Sequence, residues 1–341
     1  MDPQQSYGFL PALVEQYYGL KMTGEPELLN ERDGQLVFKA NLEDGAALTV
    51  RLCPIYVSEE KVLSDTGALL FLNNAGFPAP HLRLTLQGER VFLWQPGSWG
   101  YAHDFIEGQH PQLEPSTLTE LGHLLGRLHS LASKPEDYPV RVRWLDDLPH
   151  AIRRAELSSE NPDWGKKAAE VAASLKDLPD LSNLPLGLIH TDVHEGNLLR
   201  APDGKLYMLD WEDAGLGEAL FDLALVLGWN CVWQHRGGLD FLKRDRNRPP
   251  DLYDFDELHC RSFLQAYQQE RPLDQLEMAL LGPAIRFVMG WFASRDIVRE
   301  IQEPGVSHGL AHTNWAIMRS VTPAWSETLS NWAWQTRPPA S

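Results

Sequence analysis

Residues 187–227 read GLIHTDVHEGNLLRAPDGKLYMLDWEDAGLGEALFDLALVL, and the reading of this stretch decides the fold. His190, Asp192 and Asn197 stand as H-x-D-x-x-x-x-N, and Asp210 follows 13 residues after the asparagine. Between them lie two strand-like runs, Leu198 to Arg200 and Leu206 to Leu209, joined by Pro202-Asp203-Gly204, a sequence that favours a tight turn. Antiparallel pairing of these runs brings Asn197, ahead of the first, close to Asp210, behind the second. An amide oxygen and a carboxylate converging in this way suit Mg²⁺, a hard cation that takes oxygen ligands and shares them with phosphates. Asp192, five residues ahead of Asn197 on the same loop, is free to accept a proton from a substrate hydroxyl.

Order, spacing and the following strand together resemble the catalytic core of the aminoglycoside phosphotransferase and choline kinase superfamily, small-molecule relatives of protein kinases that include homoserine kinases. The resemblance implies an α+β, protein-kinase-like two-lobed fold, with a small β-rich N-terminal lobe, a larger helical C-terminal lobe and ATP held between them. It implies Asp192 as catalytic base, Asn197 and Asp210 as metal ligands, and His190 as a structural residue bracing the loop. Asp222, in Phe221-Asp222-Leu223-Ala224, resembles the helix aspartate that braces the catalytic loop from beneath. A carboxylate in so apolar a helix needs buried hydrogen-bond partners, which loop N–H groups would supply.

Upstream the likeness extends over about residues 28 to 130. Arg51, in Thr49-Val50-Arg51-Leu52, occupies the strand position where the family places a cation against the nucleotide phosphates. The helix that normally offers a glutamate reaches Asp65 instead, on one face with Val62, Leu69 and Leu72. An unpaired carboxylate in an apolar stripe is costly, so Asp65 is expected to pair with Arg51, with Glu59 as the substitute. Asn30 to Gln35 stands where the phosphate-covering loop would be, with Gln35 where relatives often carry Asn or Ser. Phe105-Ile106-Glu107-Gly108 resembles the end of the interlobe hinge, whose backbone near Ala102 to Phe105, Asp104 included, would hold adenine.

Working outward, the first third is strand-rich and the remainder helical. The expected lobes are residues 1–105, a β-rich nucleotide-binding lobe with a leading helix, and 106–341, the catalytic and substrate lobe. Leu10, Leu13, Val14 and Tyr17 make an amphipathic helix stopped by Gly19. Leu36 to Ala40 and Ala46 to Leu52 read as a hairpin around Glu43-Asp44-Gly45. Ser58 caps a helix running to about Asn74, and Leu82 to Leu86 with Arg90 to Trp94 read as a further strand pair. Thr117 with Glu120 reads as a capping box, and long helices occupy Phe255 to Gln269 and Leu276 to Ile301.

The chain has 341 residues and a net charge of -17, which argues against nucleic acid and anionic membrane as partners. Three dispersed cysteines and the lack of a signal-like start fit a cytoplasmic protein. Eight of the twelve tryptophans lie from Trp211 onward, where an acceptor pocket would form. Aromatic faces with an acidic surround suit a cationic amine, so the favoured partner is a small hydroxyl compound, amine-bearing, with ATP and Mg²⁺ as cofactors. His194 and Glu212 are candidate substrate contacts, loop packing and exposed turn carboxylates being the plainer readings. Lys243, Arg244, Arg246 and Arg248 form a basic run read as a solvated loop. Two other functions are open to these residues: a catalytically silent kinase-like protein that binds nucleotide or metabolite, and a metal hydrolase using His190, Asp192 and His194 as ligands.

Overall fold

The computed structural model of the chain describes residues 7–131, 144–232, 252–307 and 309–338. The basic run from Lys243 to Arg248 lies outside them. The chain groups into two compact units, the first running to Gln109 and including Leu199–Ala214, the second formed by the rest from His110 onward.

The first unit is built on an antiparallel sheet. β1 (Glu27–Arg32), β2 (Gln35–Asn41), β3 (Ala47–Leu52), β6 (Ser98–Asp104) and β4 (Leu82–Arg83) lie in that order, and β5 (Phe92–Gln95) pairs with β6. Asp33 and Gly34 link β1 to β2 with φ of 49° and 75°, the two positive values that a two-residue type I′ hairpin requires. The expected phosphate-covering loop is therefore shorter than Asn30 to Gln35, because Asn30 to Arg32 belong to β1 and Gln35 opens β2. Helix α1 (Leu10–Tyr18) ends at Gly19 and lays Leu10, Val14 and Tyr18 on a core with Phe38, Val50, Leu52 and Ala102.

Helix α2 (Glu59–Asn74) is capped by Ser58, whose hydroxyl accepts from the Lys61 N–H at 3.2 Å, and acidic Glu59 and Glu60 fill its first turn. The strand pair expected around residues 82–94 forms differently. β4 and β5 both pair with β6, on the edge opposite β3, because Pro96-Gly97 turns the chain back so that residues 98–104 become a strand alongside them.

Leu199–Ala214 joins this unit through specific backbone bonds, so the division at residue 105 differs from the observed grouping. Arg200 and Gln109 exchange N–H···O bonds of 2.8 and 3.0 Å, and the Met208 N–H donates to the Pro78 carbonyl at 3.0 Å. Trp211 packs edge-on to Phe77 at 5.7 Å between ring centroids. The segment holds the hairpin β8 (Leu198–Arg200) and β9 (Leu206–Met208), whose turn glycine, Gly204, has φ 86°.

The second unit is helical. It contains α3 (Pro115–Ser130), α4 (Leu148–Ser158), α5 (Gly165–Lys176), the two-stranded ladder of β7 (Leu186–Ile189) with β10 (Gly215–Glu218), and α6 (Ala219–Leu225). There follow α7 (Glu257–Glu270), α8 (Gln275–Gln302), α9 (Leu310–Ser320) and α10 (Pro323–Gln335). Helix α3 begins three residues earlier than expected, with Glu114 rather than Thr117 at its N-cap, Pro115 in its first turn and no side-chain cap, so the Thr117–Glu120 capping box does not form. Among the described residues α8 alone is long and apolar enough to cross a membrane, but most of it is buried within this unit. The three cysteines are buried and unbridged.

Helices α3 and α7 approach closely because glycines face the contact. A Cβ on Gly122 would lie 2.5 Å from the Phe263 carbonyl oxygen, and one on Gly126 would lie 2.7 Å from that of Tyr267. Backbone cannot yield as a flexible side chain can. Gly122→Ala should therefore destabilise the protein by about 1–3 kcal/mol in urea denaturation, with unchanged helix content by circular dichroism.

Candidate active site

In the second unit a buried carboxylate organises the loop after β7. Asp222, in α6, has no solvent exposure. It accepts hydrogen bonds from the backbone N–H of His190 at 2.6 Å and of Thr191 at 2.9 Å, and it lies 3.2 Å from His129 Nε2. Thr191 needs this support. Its φ is 73°, a left-handed conformation that costs a β-branched residue on the order of 1–3 kcal/mol.

Asp192 follows directly, its side chain 46% exposed while its neighbours are buried. Asn197 Nδ2 donates both to the Asp192 carbonyl at 2.9 Å and to Asp192 Oδ2 at 3.0 Å. With the amide nitrogen turned to Asp192, the Asn197 oxygen is the atom left to ligate a cation. His194 Nδ1 accepts from the Gly196 N–H at 3.0 Å, and His194 Nε2 lies 3.4 Å from Asp192 Oδ2. Burial pushes the Asp192 carboxyl up, but the hydrogen bond and charge of His194, with His190 and Asn197, outweigh it and hold the group below its ordinary value. It is an ionised acceptor at neutral pH.

The brace continues through a polar chain that residue spacing did not reveal. His129 Nδ1 lies 2.9 Å from the Tyr267 hydroxyl, which accepts from Arg271 Nη1 at 3.0 Å, and Arg271 pairs with Glu277 at 2.8 Å. His129 lies in the last turn of α3, and its bond to Asp222, 93 residues away, needs the fold. Replacing Asp222 by alanine strands two buried N–H groups and releases the strained Thr191. We expect Asp222→Ala to cost about 3 kcal/mol or more in denaturant unfolding, a loss that Asp222→Asn recovers only in part because one amide oxygen cannot replace two carboxylate oxygens.

The first unit carries the remaining candidates, and here the expected pairing is corrected. Arg51 does not pair with Asp65 or Glu59. Its Nη2 donates to Asp210 Oδ1 at 3.0 Å and its Nη1 to Glu212 Oε1, while Gln35 Nε2 donates to the same Glu212 oxygen at 2.7 Å. Asp65 is held instead by Lys61, one helical turn earlier, at 2.7 Å, and Glu59 is exposed. Lys61 also donates to the Glu212 carbonyl and lies 3.4 Å from Asp213. The spacing of Lys61 and Asp65 is the signal that could have found this pair. Asp210 has φ 61°, so both acidic residues at issue, Asp192 and Asp210, stand next to or in left-handed backbone.

The hinge residues are partly occupied. The Asp104 N–H donates to the His81 carbonyl and the Phe105 N–H to the Ala47 carbonyl, both at 2.9 Å, because β6 runs on to Asp104. The Asp104 side chain accepts from Arg83, and Lys39 lies 4.1 Å over the Phe105 ring. A base read through backbone N–H groups would therefore meet residues after Phe105. The H-x-D-x-H metal set is not assembled. His190 is fully buried with Nδ1 turned to the Asp192 N–H, and among the described residues no group of three or more His, Cys, Asp or Glu is placed to hold a metal.

Burial raises the Asp65 carboxyl to about 7, against the lowering effect of Lys61. A folded value above the unfolded one means that the folded chain keeps a proton the unfolded chain releases, so this contribution to stability is present at low pH and is lost as pH rises from about 4 to about 7. Asp65→Asn should flatten the pH dependence of unfolding across that window, measured by urea titration at each pH.

Comparison with known proteins bears on these two sets of residues. The family model described as the phosphotransferase enzyme family matches residues 29–258. A homoserine kinase of Polaromonas naphthalenivorans is 26% identical over 193 residues, covering 52% of this chain and 52% of that protein. A thiamine kinase of Escherichia coli is 28% identical over 151 residues, 44% of this chain and 51% of its own. The matches thus span about half the length of these relatives. Among solved structures, an amicoumacin kinase in complex with AMP-PNP and Ca²⁺ superposes with a TM-score of 0.63 at 17% identity, over 93% of this chain and 95% of that one. A choline/ethanolamine kinase family protein from Mesorhizobium loti gives 0.57 at 19% identity, over 92% and 94%. The fold is that of these kinases, a β-sheet N-terminal part followed by a helical one, and the family match over two-thirds of its length means that the chain belongs to the phosphotransferase enzyme family.

Proposed function

We propose that this protein transfers the γ-phosphoryl group of ATP, bound with Mg²⁺, to a hydroxyl of a small molecule. The observation that carries the reading is the Asp192 loop. A carboxylate kept ionised, oriented by Asn197 and exposed on its outer side sits on a strained turn that a buried aspartate maintains. Backbone strain of this kind persists where a functional geometry is over-determined by its surroundings.

The donor chemistry fits the cofactors. Asn197 offers an amide oxygen and Asp210 a carboxylate whose side chain is 41% exposed, each a hard-oxygen donor of the kind Mg²⁺ takes. When bound, Mg·ATP supplies the electrophilic phosphorus and neutralises its charge. Arg51 is the cation for the phosphates, with Gln35 and Glu212 fixing its orientation. Asp192 takes the proton of the acceptor hydroxyl, and His194 and Asn197 hold that carboxylate in place and ionised. We place adenine against the chain that follows β6, which ends at Asp104 with Phe105 next. The relatives include a homoserine kinase and a thiamine kinase, which is consistent with one phosphoryl-transfer core serving several small molecules. Net charge and tryptophan content favour an amine on the acceptor, a preference compatible with an acid group on the same molecule.

Asp192→Asn keeps the shape and removes the base. It should lower kcat by about 10²- to 10⁴-fold while Mg·ATP affinity, measured by calorimetry, stays within about threefold. Phosphate transfer at the wild-type rate by this variant, or no binding of Mg·ATP by the wild type, would sink the reading.

A further inference from the structure

The loop that carries Asp192 leads into an aromatic wall within the second unit. His194 stands edge-on to Trp229 at 6.3 Å between ring centroids, and Trp229 packs on Phe292 at 4.9 Å. Over Phe292 lies the guanidinium of Arg295, its carbon 4.7 Å from that ring and 5.5 Å from the ring of Trp291. Arg295 is thus two ring contacts from His194, whose Nε2 is 3.4 Å from Asp192.

Arg295 is held by an unusual support. Its Nε lies 3.2 Å from Oδ1 of Asp296, a carboxylate only 2% exposed. The other Asp296 oxygen accepts from Asn314 Nδ2 at 3.1 Å, and Asn314 Oδ1 accepts from Trp229 Nε1 at 2.9 Å. Burying a carboxylate and an amide is costly unless every group is satisfied. Here the bonds are satisfied, and they lock Arg295 and Trp229 into one frame. Such supporting bonds are how a protein fixes the direction of a residue that meets a ligand.

The guanidinium is fixed by Nε alone. Among the described residues its two terminal NH₂ groups have no acceptor, and the side chain is 37% exposed. Stacked on rings and bonded through Nε, it presents a planar fork that matches the two oxygens of a carboxylate. Arg154 makes the contrast. It lies 5.6 Å over the same Trp291, but its Nη2 is taken by Asp147 at 3.0 Å and its Nε by Ser294. The Trp291 ring, which could hold a cationic amine, is likewise covered, by both arginines and by Trp144, stacked at 5.4 Å.

We infer that Arg295 binds an anionic group of the phosphate acceptor, so that the acceptor is a hydroxyl-bearing carboxylate rather than a simple amino alcohol. The inference rests on the phosphotransfer reading, since it takes Asp192 as the point where the hydroxyl reacts.

The test uses the full-length protein with ω-hydroxyalkanoic acids of four, six and eight carbons, each against its uncharged primary amide, and L-homoserine against 3-aminopropanol. Mg·ATP binding by the wild type is measured alongside, so that failure of the kinase reading shows itself separately. For at least one pair, the carboxylate should be used with kcat/KM at least tenfold above its partner. It should also bind more tightly by calorimetry without nucleotide. Arg295→Gln should abolish that preference and Arg295→Lys should keep part of it, with melting temperatures confirming that both variants fold. Equal handling of both members of every pair, absence of turnover and binding included, overturns the inference. So does a preference that survives in Arg295→Gln.

Discussion

Asp222 sits in α6 with no access to water and accepts the N–H groups of two successive residues, His190 and Thr191. The residue after them is Asp192. Without that carboxylate the left-handed Thr191 loses the acceptor of its N–H, and with it a constraint on the direction in which Asp192 leaves the loop. The charge is buried at a cost that only full satisfaction offsets, and the structure supplies it from a third side through His129. That imidazole ties the loop to α3, and Tyr267 and Arg271 carry the tie into α7. The close approach of α3 and α7, permitted by Gly122 and Gly126, is part of the same support. Packing of the helical unit and placement of the Asp192 carboxylate are one problem with one solution.

The first unit solves a different electrostatic problem. Arg51 is largely buried in the sheet and faces Asp210 and Glu212. Helix α2 turns a lysine rather than an acid toward this segment, since Lys61 reaches the Glu212 carbonyl and Asp213 while neutralising Asp65. The acid that orients Arg51 thus comes from the segment after Asp210, not from the helix. Cations and carboxylates alternate around residues 210–213, so a negatively charged ligand there meets Arg51 and Lys61 in spite of the overall charge of -17.

What could be read from the sequence was what is local. The Asp44-Gly45 and Asp203-Gly204 pairs are each followed through in positive φ at the glycine, and the hairpins they join form around them. Ser58 caps its helix for the reason the sequence suggests, and the grouping of His190, Asp192 and Asn197 on one loop needs only their spacing. Asp222 could be singled out because an acid in an apolar helix must find donors. The rest depended on contacts between distant parts of the chain. Nothing near Arg51 in sequence points to Glu212, 161 residues on, and the cost argument that matched Arg51 to Asp65 overlooked the lysine four residues before Asp65. Strand order around β6 turned on one Pro-Gly turn, and the Trp229, Asn314, Asp296 and Arg295 chain joins three separate helical segments.

The placement of Asp192 depends most on Asp222 holding the His190 and Thr191 amides, and amide hydrogen exchange reads those two bonds directly. Both N–H groups should exchange as slowly as the core of α3 and α7, with protection approaching the global unfolding free energy. Exchange at the rate of an exposed loop in the wild-type protein would mean that the brace does not exist and that the placement of Asp192 has another cause.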